Sequence, residues 1–164
     1  MNGFSIHPLV YSSGQYKGLL GMLEDIWVRN VSLGKGTMYI ASGFANYNGG
    51  VRFYDVFRNH IKKGGDVLAY FGASTSQKLS SKQVVEELLG CGVKVNLINR
   101  KRIFHMKCYG YANTADQRLV VSSGNFTGPG MSQNVEASLL LDSPDLAKMG
   151  FSWSDLASGI DRQR

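Results

Sequence analysis

Cysteine is scarce in this sequence. Cys91 and Cys108 are the only two in 164 residues, and they form neither a CxxC pair nor a framework of pairs. A disulfide-stapled secreted scaffold is thereby excluded, and the expected setting is reducing and cytoplasmic. No apolar run approaches the roughly 20 residues that a membrane-spanning helix needs. The opening MNGFSIHPLVYSSG has neither the basic n-region nor the apolar h-region of a secretory signal. Acidic residues are few as well, 12 against 18 Lys plus Arg. Asp25, Asp55, Asp116 and Asp142 are scattered, so a carboxylate cluster for magnesium is not supported. His105 with Cys108 is too poor a set for zinc, which takes three or four convergent ligands. Also missing are a Walker loop and a GxGxxG that opens a helix after a strand.

What is present suits one soluble domain with a real core, at 43% hydrophobic and 18% charged residues. The net charge of +6 is weak evidence alone, but its distribution is uneven. Arg100, Lys101 and Arg102 form one basic run, and Arg52, Arg58, Lys62 and Lys63 a second cluster. Such charge attracts a polyphosphate without specifying sequence, or else is plain solvated surface.

Along the chain, strand-like and helix-like periods alternate. Residues 17–30 read as a helix with Leu19, Leu20, Met22, Leu23, Ile26 and Trp27 near one face. A second helix is expected over 51–63, with Val51, Tyr54, Phe57 and Ile61 aligned and Gly64-Gly65 as its stop. A third, KQVVEELL, follows Ser80-Ser81. Strands are predicted over 37–44, 66–71 and 93–98, then in close succession over 103–111, 119–123 and 135–141. Helical crossovers first and consecutive strands later predict an α/β sandwich around a mixed sheet. Residues 1–150 form this domain, and 151–164 read as a connector with the start of a helix, leading toward a further domain.

The sharpest feature is His105-Met-Lys107 on a predicted strand, followed after the next strand by Ser122-Ser-Gly-Asn125. Side chains at i and i+2 of a strand share a face, so His105 and Lys107 meet while Met106 and Cys108 turn away. Imidazole supplies a nucleophile or proton carrier near neutral pH. Lys107 and the Asn125 amide supply charge and donors for the nonbridging oxygens of a phosphodiester, with Ser123 and the amides near Gly124 as further donors. His60-Ile-Lys62 repeats the HxK spelling, but on a predicted helix, where i and i+2 diverge by about 200°. His60 and Lys62 read as helix-surface residues, and His7 has no evident partner. Ser74, Thr75 and Ser76 either line the groove or form a plain turn. Tyr47, Phe53 and Tyr54 near Arg52 read either as stacking groups or as helix core.

His105, Lys107 and S-S-G-N125 resemble the HxK(x4)D(x6)GSxN signature of the phospholipase D superfamily. Ala112 stands where that signature has its Asp, Ser122 replaces its Gly, and the spacing to Asn125 is three residues longer. GLLGMLEDIWV, SGFANYNGGVRFY, STSQKLSSKQVVEELL, NRKRIFHMKCYG and VVSSGNFTGPGMSQNVEASLLL together resemble the catalytic half of BfiI-type restriction endonucleases. The resemblance implies a phospholipase D-like α-β-α sandwich in a bacterial, cytoplasmic enzyme that cuts double-stranded DNA without a divalent metal or other cofactor. It implies a homodimer with one active site built on the two-fold axis from the HxK of each subunit, and no membrane. One histidine then forms a phosphohistidine while its twin protonates the leaving oxygen. It also implies that Glu136, just after the SSGN loop, orients the Nδ1 of His105, the part a carboxylate plays beside a catalytic imidazole. The bland reading of Glu136 is a solvent-facing strand end. Phosphates would be held by Lys107, Asn125, Arg100, Lys101 and Arg102. Two other readings stay open: a nonspecific nuclease or phosphodiesterase of the same superfamily, and a noncatalytic DNA-binding or dimerisation module.

Overall fold

In the first half of the chain helices separate the strands, and in the second half strands follow one another directly. The sheet is accordingly parallel on one side and antiparallel on the other. The computed structural model describes residues 2–15, 18–73 and 80–163. Its strands are Gly3–His7 (β1), Tyr11–Ser13 (β2), Thr37–Ser42 (β3), Asp66–Gly72 (β4), Lys94–Ile98 (β5), Lys107–Ala112 (β6), Gln117–Ser122 (β7) and Glu136–Leu141 (β8). They form one sheet in the order β2-β1-β8-β7-β6-β3-β4-β5. β3, β4 and β5 are parallel neighbours, and every other pairing is antiparallel. The helices are Gly18–Glu24 (α1), Tyr54–Lys62 (α2), Lys82–Cys91 (α3), Ser143–Lys148 (α4) and Trp153–Asp161 (α5). The expected α-β-α sandwich around a mixed sheet is the architecture found.

α1 buries Leu19, Met22 and Leu23, and its line of apolar residues continues through Ile26 and Trp27 in a wider π-type turn over Asp25–Arg29. These side chains pack with Phe53, Phe57, Val84 and Leu88 against one face of the sheet. Trp27 is central there, with Phe53 and Phe57 edge-on at 5.0 and 5.3 Å between centroids. Its Nε1 donates to the Gly110 carbonyl at 2.9 Å. On the other face Trp153 stacks on Tyr39 at 4.6 Å and lies so close over Gly110 that a Cβ would fall 2.3 Å from the indole. Only glycine fits at that crossing of two tryptophans.

Several expectations need correction. His60 is not on the helix surface; it is fully buried with Tyr54 and Phe57. Its Nδ1 accepts from Gly34 N–H at 2.9 Å and its Nε2 faces the Gly36 carbonyl at 3.1 Å. Gly65 makes room for the ring. Val51 precedes the helix and is exposed. β1, β2 and α4 have no counterpart among the expected elements. The helix expected to start within 151–164 is found as α5, which packs through Trp153, Ala157 and Ile160.

Because β3, β4 and β5 are parallel and their neighbours alternate, the last residues of β1, β3, β4, β5 and β7 and the first of β6 and β8 share one end of the sheet. The candidate chemistry lies there.

Candidate active site

The strand expected over 103–111 begins at Lys107, with 103–106 as an approach segment. Pairing with the first half of the chain nevertheless runs on, because Gly43 N–H donates to the Met106 carbonyl at 2.8 Å. Gly43 has to be small for this: a Cβ there would lie 2.7 Å from the Phe104 carbonyl oxygen. The alternation of faces therefore survives. Phe104, Met106 and Cys108 pack toward the α5 layer, while His105 and Lys107 meet on the other side. Lys107 Nζ lies 3.0 and 3.2 Å from the two ring nitrogens of His105 and donates to its carbonyl at 3.1 Å. An ammonium can only donate, so the nitrogen facing it is the acceptor. Burial holds the Lys107 ammonium below the usual lysine range, and the charge of Glu136 works against that shift. His105 is exposed, with the Phe44 ring edge-on at 6.4 Å.

Asn125 reaches the same place from the β7–β8 connection. Its Oδ1 accepts from Phe44 N–H at 3.1 Å and from Ser42 Oγ at 3.3 Å. Ser42 is the register partner of Lys107, so Asn125 stands over the strand pair that carries the lysine. With Oδ1 turned inward, the Nδ2 donors face outward. The loop is tied down from below by Tyr109, two residues after Lys107 on the same face. Its phenol donates to the Gly124 carbonyl at 2.9 Å. Complete burial pushes that phenol far above the usual tyrosine range, so it remains a donor.

Ser123 is exposed and takes part in closing the β7–β8 ladder: its Oγ accepts from Ala137 N–H at 3.0 Å and its own N–H donates to the Ala137 carbonyl at 2.9 Å. Its hydroxyl hydrogen is left to donate. Glu136 opens β8, with Oε2 3.1 Å from where a Cβ on Gly124 would be. Its carboxylate makes no hydrogen bond or ion pair with a described residue, His105 included. Arg100, Lys101 and Arg102 reach the same end of the sheet on the α5 side. There they line a cavity of about 550 Å³ with Phe104, Met106 and Ile160. Within the second basic cluster, Arg52 pairs with Glu24, and Arg58 with Asp55 and Glu87, so much of its charge is neutralised. Tyr54 and Phe53 are core residues, not stacking platforms. Ser74, Thr75 and Ser76 lie outside the described residues.

Three contributors were not foreseen. Ser42 and Tyr109 lie outside the HxK and SxxN signature, since they act through register and burial. His7 stands directly across the β1–β8 ladder from Glu136, which puts a second imidazole on this rim, and only the unforeseen strand β1 reveals it. Among the described residues no three His, Cys, Asp or Glu stand together as a metal set, and no helix is long and apolar enough to cross a membrane.

No family model matches the chain, and no curated protein matches its sequence. Among solved structures it is similar to Nuc from Salmonella typhimurium, a phospholipase D family member. The two share 19% identity over 78% of each chain, with a TM-score of 0.54. It is also similar to yeast tyrosyl-DNA phosphodiesterase, with 12% identity over 85% of this chain and 32% of that one, at a TM-score of 0.51. Polyphosphate kinase from Porphyromonas gingivalis gives 11% identity over 74% of this chain and 20% of that one, at 0.52. The chain thus spans about a third and a fifth of the latter two. The fold is the one these proteins share.

Proposed function

We propose that this chain is a phospholipase D-type phosphodiesterase that cuts DNA without a metal, through a phosphohistidine on His105. The observation that carries this reading is the convergence of His105, Lys107 and Asn125 at one end of the sheet. An imidazole nitrogen attacks phosphorus, a P–N bond forms, and the P–O bond to the leaving oxygen breaks. That oxygen takes a proton from a second imidazole acting as general acid. Water then attacks phosphorus, gives its proton to the same imidazole, and the P–N bond breaks, which returns the enzyme to its first state. Lys107 Nζ and Asn125 Nδ2 stabilise the charge on the nonbridging oxygens, the part a divalent ion otherwise plays. The fold shared with a phospholipase D family member and with a tyrosyl-DNA phosphodiesterase supports the assignment.

The second imidazole is the partner subunit's His105 in a homodimer with one shared site. On the face opposite His105 and Lys107, at the same end of the sheet, an uncovered apolar strip gives a second copy a surface to cover. Phe4, Leu139, Val121 and Cys108 lie in one cross-strand row on the α5 side of the sheet, and Phe4 and Val121 are 36% and 42% exposed. Glu136 orients an imidazole of that shared site, and Ser123 with Arg100, Lys101 and Arg102 adds phosphate contacts. Phosphorus and its nonbridging oxygens are the same at every nucleotide. The chemistry is therefore sequence-independent, and site-specific cutting of the restriction type draws on recognition supplied elsewhere.

Plasmid cleavage in EDTA at low salt tests the reading, with the parent beside His105→Ala and Lys107→Ala. Cleavage by the parent alone is expected, with acid-labile, base-stable phosphate trapped on His105. Equal cleavage by all three would remove the mechanism.

A further inference from the structure

We propose that Ser42 is a positioning residue for this reaction: it fixes the Asn125 carboxamide with its Nδ2 donors toward the substrate. The inference rests on the phosphodiesterase reading and names a residue outside the HxK and SxxN signature.

A carboxamide can present either its oxygen or its NH₂ to a ligand, and the two orientations are close to isosteric. For a phosphate oxygen only the NH₂ orientation is useful; the other sets a partial negative charge against an anion. What selects one is the set of groups behind the amide. Phe44 N–H donates to Oδ1 at 3.1 Å, and in the flipped orientation it would face a second donor. The main-chain position of Phe44 therefore decides the orientation of Asn125, and Ser42 sets that position.

Ser42 is fully buried at the last position of β3. Its Oγ makes three contacts that bracket the loop. It donates to the Phe44 carbonyl at 2.5 Å, which closes the 42–44 turn and points Phe44 N–H at Asn125. It accepts from Phe126 N–H at 2.9 Å, which anchors the residue directly after Asn125. It also approaches Asn125 Oδ1 at 3.3 Å. One hydroxyl hydrogen serves mainly the shorter contact, so the approach to Oδ1 is the lesser of the three. On the other side of Asn125, the Gly124 carbonyl is held by Tyr109. Asn125 is thus clamped before, after and behind, and a hydroxyl at position 42 supplies two of those restraints. Preorganised donors stabilise developing charge without reorganising during the reaction, which is what such a clamp provides.

The test is a double-mutant cycle with a spectroscopic partner. Ser42→Ala is expected to lower kcat by about tenfold or more, with KM little changed, as the loss of an orienting partner does. In an Asn125→Ala background the same change is expected to have no further effect. An equal drop in both backgrounds would show a merely structural role and overturn the proposal. Should Ser42→Ala fail to fold, the near-isosteric Ser42→Cys, a weaker donor and acceptor, is put through the same cycle. Independently of turnover, the side-chain ¹⁵N–¹H₂ signals of Asn125 are assigned by their loss in Asn125→Ala. They are expected to shift and broaden in the Ser42 variants, and unchanged signals would overturn the proposal. If the parent fails to cut DNA, the phosphodiesterase reading falls, while the amide signals still decide whether Ser42 holds Asn125.

Discussion

His105 and Lys107 are two residues apart on extended backbone, and that spacing alone delivers an ammonium to an imidazole. Asn125 arrives by a different route, and its part is the more sensitive to chemical identity than to shape. Asn125→Asp keeps the acceptor that Phe44 N–H needs but replaces the outward NH₂ by a carboxylate oxygen, which repels a phosphate. The expected result is a protein that melts close to the parent and cuts DNA at least about 10²–10³-fold more slowly, the size of effect seen when one preorganised donor is lost. Asn125→Ala, which removes the donor without adding charge, is expected to be less impaired. Cleavage rates and thermal melts of the three proteins check both statements. Equal rates for Asp and Ala would mean that Asn125 does not face the phosphate.

At the scale of the element, α2 shows how a buried polar group ties an apparently ordinary helix to the sheet. His60 spans Gly34 N–H and the Gly36 carbonyl, so it holds the turn that leads into β3. Burial lowers its pKa below the usual 6.5, an effect that the hydrogen bond to Gly36 and the charge of Asp66 oppose. In the unfolded chain the ring takes up a proton near 6.5, and in the folded chain it does so only at lower pH. The stability that His60 contributes is thus present in full above 6.5 and is lost as pH falls toward the folded value. Denaturant midpoints of the parent are expected to drop, as pH falls below 6.5, by more than those of His60→Gln, which cannot titrate. Parallel pH profiles for the two would show that His60 is not held neutral by the fold. The variant itself is expected to be less stable at neutral pH by about 1–3 kcal/mol, because a buried backbone group loses its partner.

At the scale of the whole molecule, the sandwich is closed on one face and only partly closed on the other. α1, α2 and α3 cover the first face. α4 and α5 leave the β1–β8–β7 end of the second open, where Phe4, Leu139 and Val121 run side by side toward the site. The homodimer proposed above is expected to cover this strip, which lies on the face opposite His105 and Lys107. Val121→Asp puts a charge in the strip without touching His105, Lys107 or Asn125. It is expected to yield a folded monomer by sedimentation, with cleavage lost in step with the dimer and regained at high protein concentration. A monomeric parent with full activity would separate the chemistry from any second copy, and would leave His7, across from Glu136 on the same rim, as the imidazole to examine.

Features that depend on a few neighbouring residues could be read directly. The apolar line through Leu19, Met22, Leu23, Ile26 and Trp27 announces a helix because it follows a 3.6-residue period. The shared face of His105 and Lys107 follows from the two-residue period of a strand, and it survives although the strand proper starts only at Lys107. The change from separated to consecutive strands was enough for a mixed sheet between helical layers. Other features depend on which distant segments become neighbours, and these only the tertiary structure decided. His60 looked like a surface residue because its partners lie 24 and 26 positions earlier in the chain. Ser42 and Tyr109 lie outside the HxK and SxxN signature, yet β3–β6 pairing places one behind Asn125 and the other beneath Gly124. The charge of Arg52 and Arg58 is offset by carboxylates on other helical segments. Local periodicity sets which side chains share a face; strand register and burial set what each face meets, and that second step cannot be taken from a one-dimensional pattern.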